Sequence, residues 1–159
     1  MAFLQTLDIS GSGLTAERLR LDLISNNIAN INTTRTGRTT TGGNQIPYQR
    51  QIPIFQAKET EKPFGSFLAD NLEPSGDGVR VSSIVKDPTP FKAVYNPEHP
   101  DAIQQPEAGL QTGYVRLPNV ELVNEMVDMI SASRAYEANV TAVNAGKTMA
   151  LKALEIGKV

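Results

Sequence analysis

The chain has 159 residues, with 15 basic and 17 acidic side chains and a net charge of −2. The balance is even along its length: 4 basic and 3 acidic groups in residues 1–46, 7 and 9 in 47–118, and 4 and 5 in 119–159. No stretch has the basic excess that neutralising phosphates requires, which argues against nucleic acid as a partner and against polybasic attachment to a membrane surface. Cysteine is absent, so disulfides and thiolate metal sites are excluded. No apolar run approaches the roughly 18 residues of a membrane span, so no direct membrane insertion is expected. The opening "MAFLQTLDIS" has neither a basic n-region nor a pure apolar h-region, so no secretory signal peptide is expected there.

All ten prolines fall between Pro47 and Pro118. Proline costs a helix interior about 3 kcal/mol. The chain therefore divides into a helix-permissive start, a helix-forbidding middle and a helix-permissive end. The predicted fold class is α+β, with boundaries at 1–32 for the first helix, 33–46 for a linker, 47–118 for a β- and loop-rich middle, and 119–159 for the last helix.

In the first segment, Phe3, Leu7, Leu14, Leu21, Ile24, Ile28 and Ile31 recur at helical spacing and form one stripe. The sevens Leu7, Leu14, Leu21 and Ile28 suit a coiled-coil seam. Gly11 and Gly13 interrupt the stripe without shifting its phase, which predicts one long helix with a soft point. A second face holds Ile9, Ala16, Leu19 and Leu23 and continues into Asn26, Asn27 and Asn30. Amides bond each other or backbone without the desolvation cost of charge, so this face is also expected to be buried, against neighbouring chains. Asn30 and Asn32 equally suit a helix end, where Asn is common.

"TTRTGRTTTGGNQI" (33–46) has no packing pattern and is expected to be a mobile linker unless contacted. In the middle, "YQRQIPIF" (48–55), "VRVSSIV" (79–85) and "FKAVY" (91–95) predict short strands. "KETEKPFGSFLADNLEPSGDG" (58–78) and "NPEHPDAIQQPEAG" (96–109) read as loops.

The last segment places Leu122, Met126, Met129, Tyr136, Val140, Val143, Ala150 and Leu154 on one heptad-like seam, with Ser133 and Lys147 as polar exceptions. A second stripe holds Val123, Val127, Ile130, Ala138, Thr141 and Ala145. Matching seams at the two ends predict that the terminal helices pair with each other as a coiled coil. A two-helix hairpin covers one face of each helix, so the remaining faces point to self-assembly.

Catalytic and cofactor motifs fail on inspection. His99 in "NPEHPDA" is pinned by Pro97 and Pro100 and lacks a nominated nucleophile or titrating partner, so it reads as part of a rigid surface turn. "GSGLTA" (11–16) imitates a dinucleotide fingerprint but lies inside a helical pattern, and "AGKT" (145–148) has Thr141 where a phosphate loop needs its first glycine. "NTT" (32–34) and "NVT" (139–141) fit a glycosylation sequon, which is frequent by chance. Carboxylates show no metal-ligand spacing. The sequence reads as a non-enzyme with no catalytic, metal or cofactor residues.

"SGLTAERLRLDLISNNIANINTT" (12–34) resembles the N-terminal signature of bacterial flagellar axial proteins, the rod, hook and hook-associated proteins. "PYQRQ" (47–51), "GVRVSSIVKDPTPFKAVYNPEHPDA" (78–102) and "GYVRLPNVELVNEMVDMISASRAYEANVTAVNAGKTMALKALEIG" (113–157) narrow the resemblance to flagellar basal-body rod proteins. Thr34, Arg35 and Thr36 stand where most axial proteins carry a Pro-Gly-Tyr type turn, a departure typical of one rod subfamily. The resemblance implies a proximal-rod subunit whose terminal helices form the inner-tube domain D0. It implies export, without a cleavable signal, by the flagellar type III export apparatus to a periplasmic rod in the basal body. Implied partners are further copies of the chain, the rod proteins FlgB, FlgF, FlgG and FliE, and the inner-membrane MS ring region. The implied assembly interface comprises Leu7, Leu14, Leu19, Leu21, Leu23, Ile24, Asn26, Asn27, Ile28, Asn30 and Asn32 in the first helix. In the last helix it comprises Leu122, Met126, Met129, Ile130, Tyr136, Val140, Val143 and Leu154. Another axial subunit, or a non-flagellar coiled-coil adaptor, is the alternative.

Overall fold

The computed structural model describes residues 2–58, 78–106 and 109–156. Helix α1 (Ala2–Ala29) is followed by strands β1 (Gln51–Ala57), β2 (Val79–Lys86), β3 (Lys92–Tyr95) and β4 (Tyr114–Leu117), then by helix α2 (Leu122–Ile156). Two terminal helices thus flank a strand-containing middle, an α+β arrangement. Strands β1, β2 and β3 fall on the three predicted stretches, β1 beginning at Gln51 rather than at Tyr48. Strand β4, "YVRL", had no counterpart in the sequence reading, because four residues between Gly113 and Pro118 are too few to show alternation. The loop expected over 58–78 lies, for residues 59–77, outside the described residues.

Helix α1 is continuous through Gly11 and Gly13. Good helix formers from Leu14 to Leu23 supply propensity, and Glu17 and Arg20 form a one-turn ion pair at 3.8 Å. The helix ends where Asn30 donates through Nδ2 to the carbonyl of Asn26 at 2.9 Å and to its side-chain oxygen at 2.8 Å. The Asn26 carbonyl also accepts the Asn30 backbone N–H at 3.1 Å, so Asn30 closes the last turn with both its main chain and its side chain.

The described residues group into two compact units. The first contains residues 2–21, 53–58, 78–83 and 130–156. Its enclosed apolar side chains are small: Ala16 and Ala132 are 3% and 0% exposed. The Gly-Ser-Gly stretch of α1 is a contact point in this unit. The Ser12 hydroxyl donates to Ile9 O at 2.7 Å and accepts the Val79 N–H at 3.0 Å, so it pins the start of β2. Beside it, Gly78 has φ +104°, and a Cβ there would lie 2.3 Å from Ser12 Oγ, so only glycine fits. A Cβ on Gly13 would lie 3.0 Å from the amide of Asn139. At Gly13, but not at Gly11, the expected soft point is a place where another segment comes close.

The second unit contains residues 22–52, 84–106 and 109–129. Its apolar core is Leu23, Ile24, Ile103, Val115 and Val120, joined by buried Pro47 and Pro118. Strands β3 and β4 pair antiparallel with Tyr95 opposite Tyr114, and the two rings meet edge to face at 5.3 Å. The expected loose linker at 33–46 is ordered here as a closed hairpin: Thr40 N–H bonds Asn44 O at 2.9 Å and Ile46 N–H bonds Arg38 O at 3.0 Å. Buried Asn44 ties it to Gln105 O at 3.1 Å, and Thr34 and Arg35 both bond Asp101. Those polar contacts replace the apolar pattern whose absence suggested mobility.

Candidate assembly interface

The centre of the second unit is polar. Asn27 is 1% exposed and uses its full hydrogen-bonding capacity. Its Oδ1 accepts from the Tyr48 hydroxyl at 2.9 Å and from Gln51 N–H at 3.0 Å, while Nδ2 donates to Gln51 O at 3.0 Å and to Glu125 Oε2 at 3.2 Å. Glu125 is fully enclosed and is also bonded by Arg50 Nε. The same guanidinium reaches Asp128 Oδ2 at 3.0 Å and Asp87 Oδ2 at 3.6 Å. Asn119 completes the cluster, accepting from Arg50 N–H at 2.8 Å and donating to Asp87 O and Thr89 O at 3.2 and 3.1 Å. One amide, one carboxylate and one guanidinium thereby join the end of α1, the start of β1, the turn after β2 and the first turns of α2.

The electrostatics follow from this packing. Burial, and secondarily the charge of Glu125, raises the Tyr48 phenol above its ordinary pKa and keeps it a neutral donor. Burial pulls the Arg50 guanidinium down, but the hydrogen bond and charge of Glu125, with Asp128 and Asp87, more than offset it. Asp87 is held below the ordinary carboxylate range by hydrogen bonds from Thr89 and then by Arg50, and Asp101 by Arg35 and then Thr34.

Each helix has one side closed by its own chain. On α1 the enclosed line runs through Ala16, Leu23 and Asn27, preceded by half-buried Gly13. On α2 it is Glu125, Ala132, Asn139 and Gly146, at sevens, with Asn139 half-buried and the other three buried. Apolar periodicity overlooked the α2 line, because its residues are small or polar. On α1, Ala16, Leu23 and Asn27 belong to the second face expected to be buried, and they are enclosed by their own chain. On α2 the repeat of such residues at a constant seven was the available signal.

The residues expected to meet neighbouring chains divide accordingly. Leu23, Ile24 and Asn27 are enclosed within their own chain. Leu7, Leu14, Leu19, Leu21 and Ile28 are half-buried, as is the capping residue Asn30, while Asn26 and Asn32 are exposed. On α2, Leu122, Met126, Ile130 and Leu154 are exposed, joined by Val123 at 68% and Val127 at 61%. Met129, Tyr136, Val140 and Val143 are half-buried. Apart from buried Ile24, both seams therefore stay at least partly open, and the lines through Asn27 and Glu125 are closed.

His99 shapes its own turn: its Nδ1 accepts the Asp101 N–H at 3.1 Å, and its N–H bonds Asn96 O at 3.3 Å. Among the described residues no three His, Cys, Asp or Glu side chains cluster as metal ligands, and no helix is long and apolar enough to cross a membrane.

The two ends of the chain that form the long helices match known protein families. Residues 7–35 match the family described as flagella basal body rod protein, and residues 111–156 match the flagellar basal body rod FlgEFG protein C-terminal family. The class is that of flagellar basal-body rod proteins. Over its length the chain is 52% identical to flagellar basal-body rod protein FlgC of Borreliella burgdorferi, with 98% of each chain covered. It is 44% identical to FlgC of Bacillus subtilis, over 99% of this chain and 100% of that one, and 36% identical to FlgC of Escherichia coli O157:H7 at the same coverage. The chain belongs to the FlgC family of flagellar basal-body rod proteins.

Proposed function

We propose that the chain is a structural subunit of the proximal rod, built by self-assembly into a hollow drive shaft that transmits torque and surrounds the export channel. The observation that carries this reading is the likeness to FlgC proteins along practically the whole chain. The open seams of Leu7, Leu14, Leu21 and Ile28 on α1, and of Leu122, Met126 and Ile130 on α2, support it as surfaces for adjoining subunits. Close-packed helices resist deformation and pass strain along, which is what a shaft requires.

In this reading the two terminal helices pair antiparallel as the D0 domain. Gly13 faces Asn139 in the first unit, and Asn27 bonds Glu125 in the second. Each pair of positions is 14 residues apart on its helix, in opposite senses, as antiparallel pairing demands. The middle segment lies outside the tube. Partners are other copies of the chain, the rod proteins FlgB, FlgF, FlgG and FliE, and the MS ring region. The chain reaches the periplasmic rod through the type III export apparatus, without a cleaved signal and without catalysing a reaction.

The test is replacement of the chain in a motile bacterium by versions lacking residues 1–30 or 140–159. Neither version is expected in purified basal bodies, and neither strain is expected to swim. Normal motility with either truncation would overturn the proposal. In assembled rods, Leu21→Ala or Ile28→Ala is expected to cost about 2–5 kcal/mol per subunit.

A further inference from the structure

We infer that Tyr95 and Glu98 form a guanidinium site on the second unit, and that its occupant in the assembled rod is Arg38 of a second copy of this chain. The inference rests on the self-assembly proposed above and names one contact that sets the register between copies.

Tyr95, the last residue of β3, is 63% exposed. Its ring is nonetheless seated. It meets Tyr114 edge to face at 5.3 Å, and Gly113 leaves room for it, since a Cβ there would lie 2.9 Å from Tyr95 Cε2. The turn that follows is braced at each step. Asn96 N–H bonds Gly113 O at 3.0 Å, His99 N–H bonds Asn96 O at 3.3 Å, and Asp101 N–H bonds His99 Nδ1 at 3.1 Å. Glu98 lies within that turn, exposed and without a side-chain partner among the described residues. An open aromatic face and an unpaired carboxylate on one short, braced stretch suit a guanidinium, which stacks on the first and donates to the second.

Arg38 matches that site in charge and in mounting. Residues 35–39 are all exposed, on a hairpin held by Asp101 through Thr34 and Arg35 and by Asn44 through Gln105 O. Thr36 N–H bonds Ile46 O at 3.2 Å and Ile46 N–H bonds Arg38 O at 3.0 Å. Gly37, at φ +75° between those bonds, makes the strand bulge at Arg38. A bulge blunts the edge against strand pairing and leaves the side chain as the group on offer. Arg35 is engaged by Asp101, whereas Arg38 has no ion pair or side-chain hydrogen bond among the described residues. Arg38 and Glu98 belong to the same unit yet do not meet in it, so both are open to a group from outside. Two copies supply both when Arg38 of one enters the Tyr95–Glu98 site of the next, a heterologous contact that repeats from subunit to subunit. An exposed ion pair alone contributes little, so the contact governs register and partner choice more than strength.

The chain has no cysteine, so an introduced pair reports without background. A motile bacterium carries the chain with Arg38→Cys and Glu98→Cys in place of its own copy, and its purified basal bodies are oxidised. Dimers and longer multiples of the chain are expected, and none with either cysteine alone. Arg38→Glu and Glu98→Arg are each expected to lower recovery of the chain in basal bodies about fivefold, and the two together to restore it. Tyr95→Phe keeps the ring and is expected to be recovered normally, while Tyr95→Ala loses as much as Arg38→Glu. A chain present in basal bodies that forms no cross-link, or cross-links only within itself or to a different protein, overturns the inference and leaves the rod reading standing. Absence of the unsubstituted chain from basal bodies overturns both. If the cysteine pair does not assemble, the charge exchange decides: single reversals without effect, or a double reversal no better than either single, overturn the inference.

Discussion

The two units of this chain are held by different chemistry. In the second, a core of Leu23, Ile24, Ile103, Val115 and Val120 adjoins a polar cluster in which Asn27, Glu125 and Asn119 each have designated partners. In the first, the enclosed positions among the described residues are occupied by alanine and glycine, and Ile130, Met149, Leu151, Leu154 and Ile156 of α2 face outward. Small residues let backbones approach but remove little apolar area, and burial contributes only about 25 cal/mol per Å². Polar clusters contribute little net energy when complete and cost a great deal when broken, so they specify one arrangement. A subunit that must be well defined in one place and receptive in another can use the two modes side by side.

The sharpest way to break this contrast is at Arg50. Arg50→Ala leaves Glu125 enclosed without its cation, and is expected to destabilise the second unit by about 3–5 kcal/mol in urea unfolding followed by circular dichroism. A cost below about 1 kcal/mol would place the cluster among the surface ion pairs. The next effect belongs to the first unit. Gly78→Ala meets both a positive φ and the Ser12 hydroxyl, and is expected to cost about 1–3 kcal/mol and to release protection of the Val79 amide. An unchanged Val79 exchange rate would show that Ser12 is not the pin.

Acid sharpens the contrast more gently. Asp87 and Asp101 both have folded pKa values below the ordinary one, so their contribution is complete above about pH 4 and lost as pH falls through the folded values. Both lie in the second unit, so its urea midpoint is expected to drop between pH 6 and pH 3, and Asp101→Asn should remove part of that drop. A midpoint that rose on acidification would contradict the assignment. The smallest effect is expected at His99. His99→Ala deletes one acceptor for the Asp101 amide, about 0.5–1 kcal/mol, and should leave motility unchanged.

Much of the architecture was legible beforehand because its causes are local. Confinement of proline to Pro47–Pro118 dictates where helices are possible, and heptad spacing shows they have apolar stripes. Three strands followed from β-prone runs, whereas β4 was too short to announce itself. Of the expected interface, Leu7, Leu14, Leu21 and Ile28 are half-buried and Leu122 and Met126 exposed, while the role of the asparagines was not legible beforehand. Asn26 and Asn27 are adjacent and chemically identical, yet Asn26 is exposed and Asn27 is enclosed. Asn30 serves the helix end that its residue type suggested.

By itself, then, the sequence determined the element types, the absence of cysteine chemistry and, through its motifs, the family. Tertiary structure alone decided which of several candidate stripes closes within the chain, that residues 33–46 form an anchored hairpin, and that Arg50, Glu125 and Asn119 converge. The reason is physical: propensity and periodicity act over a few neighbouring residues, whereas the partner of a buried amide or carboxylate is chosen by geometry across sequence separations of up to 98 residues.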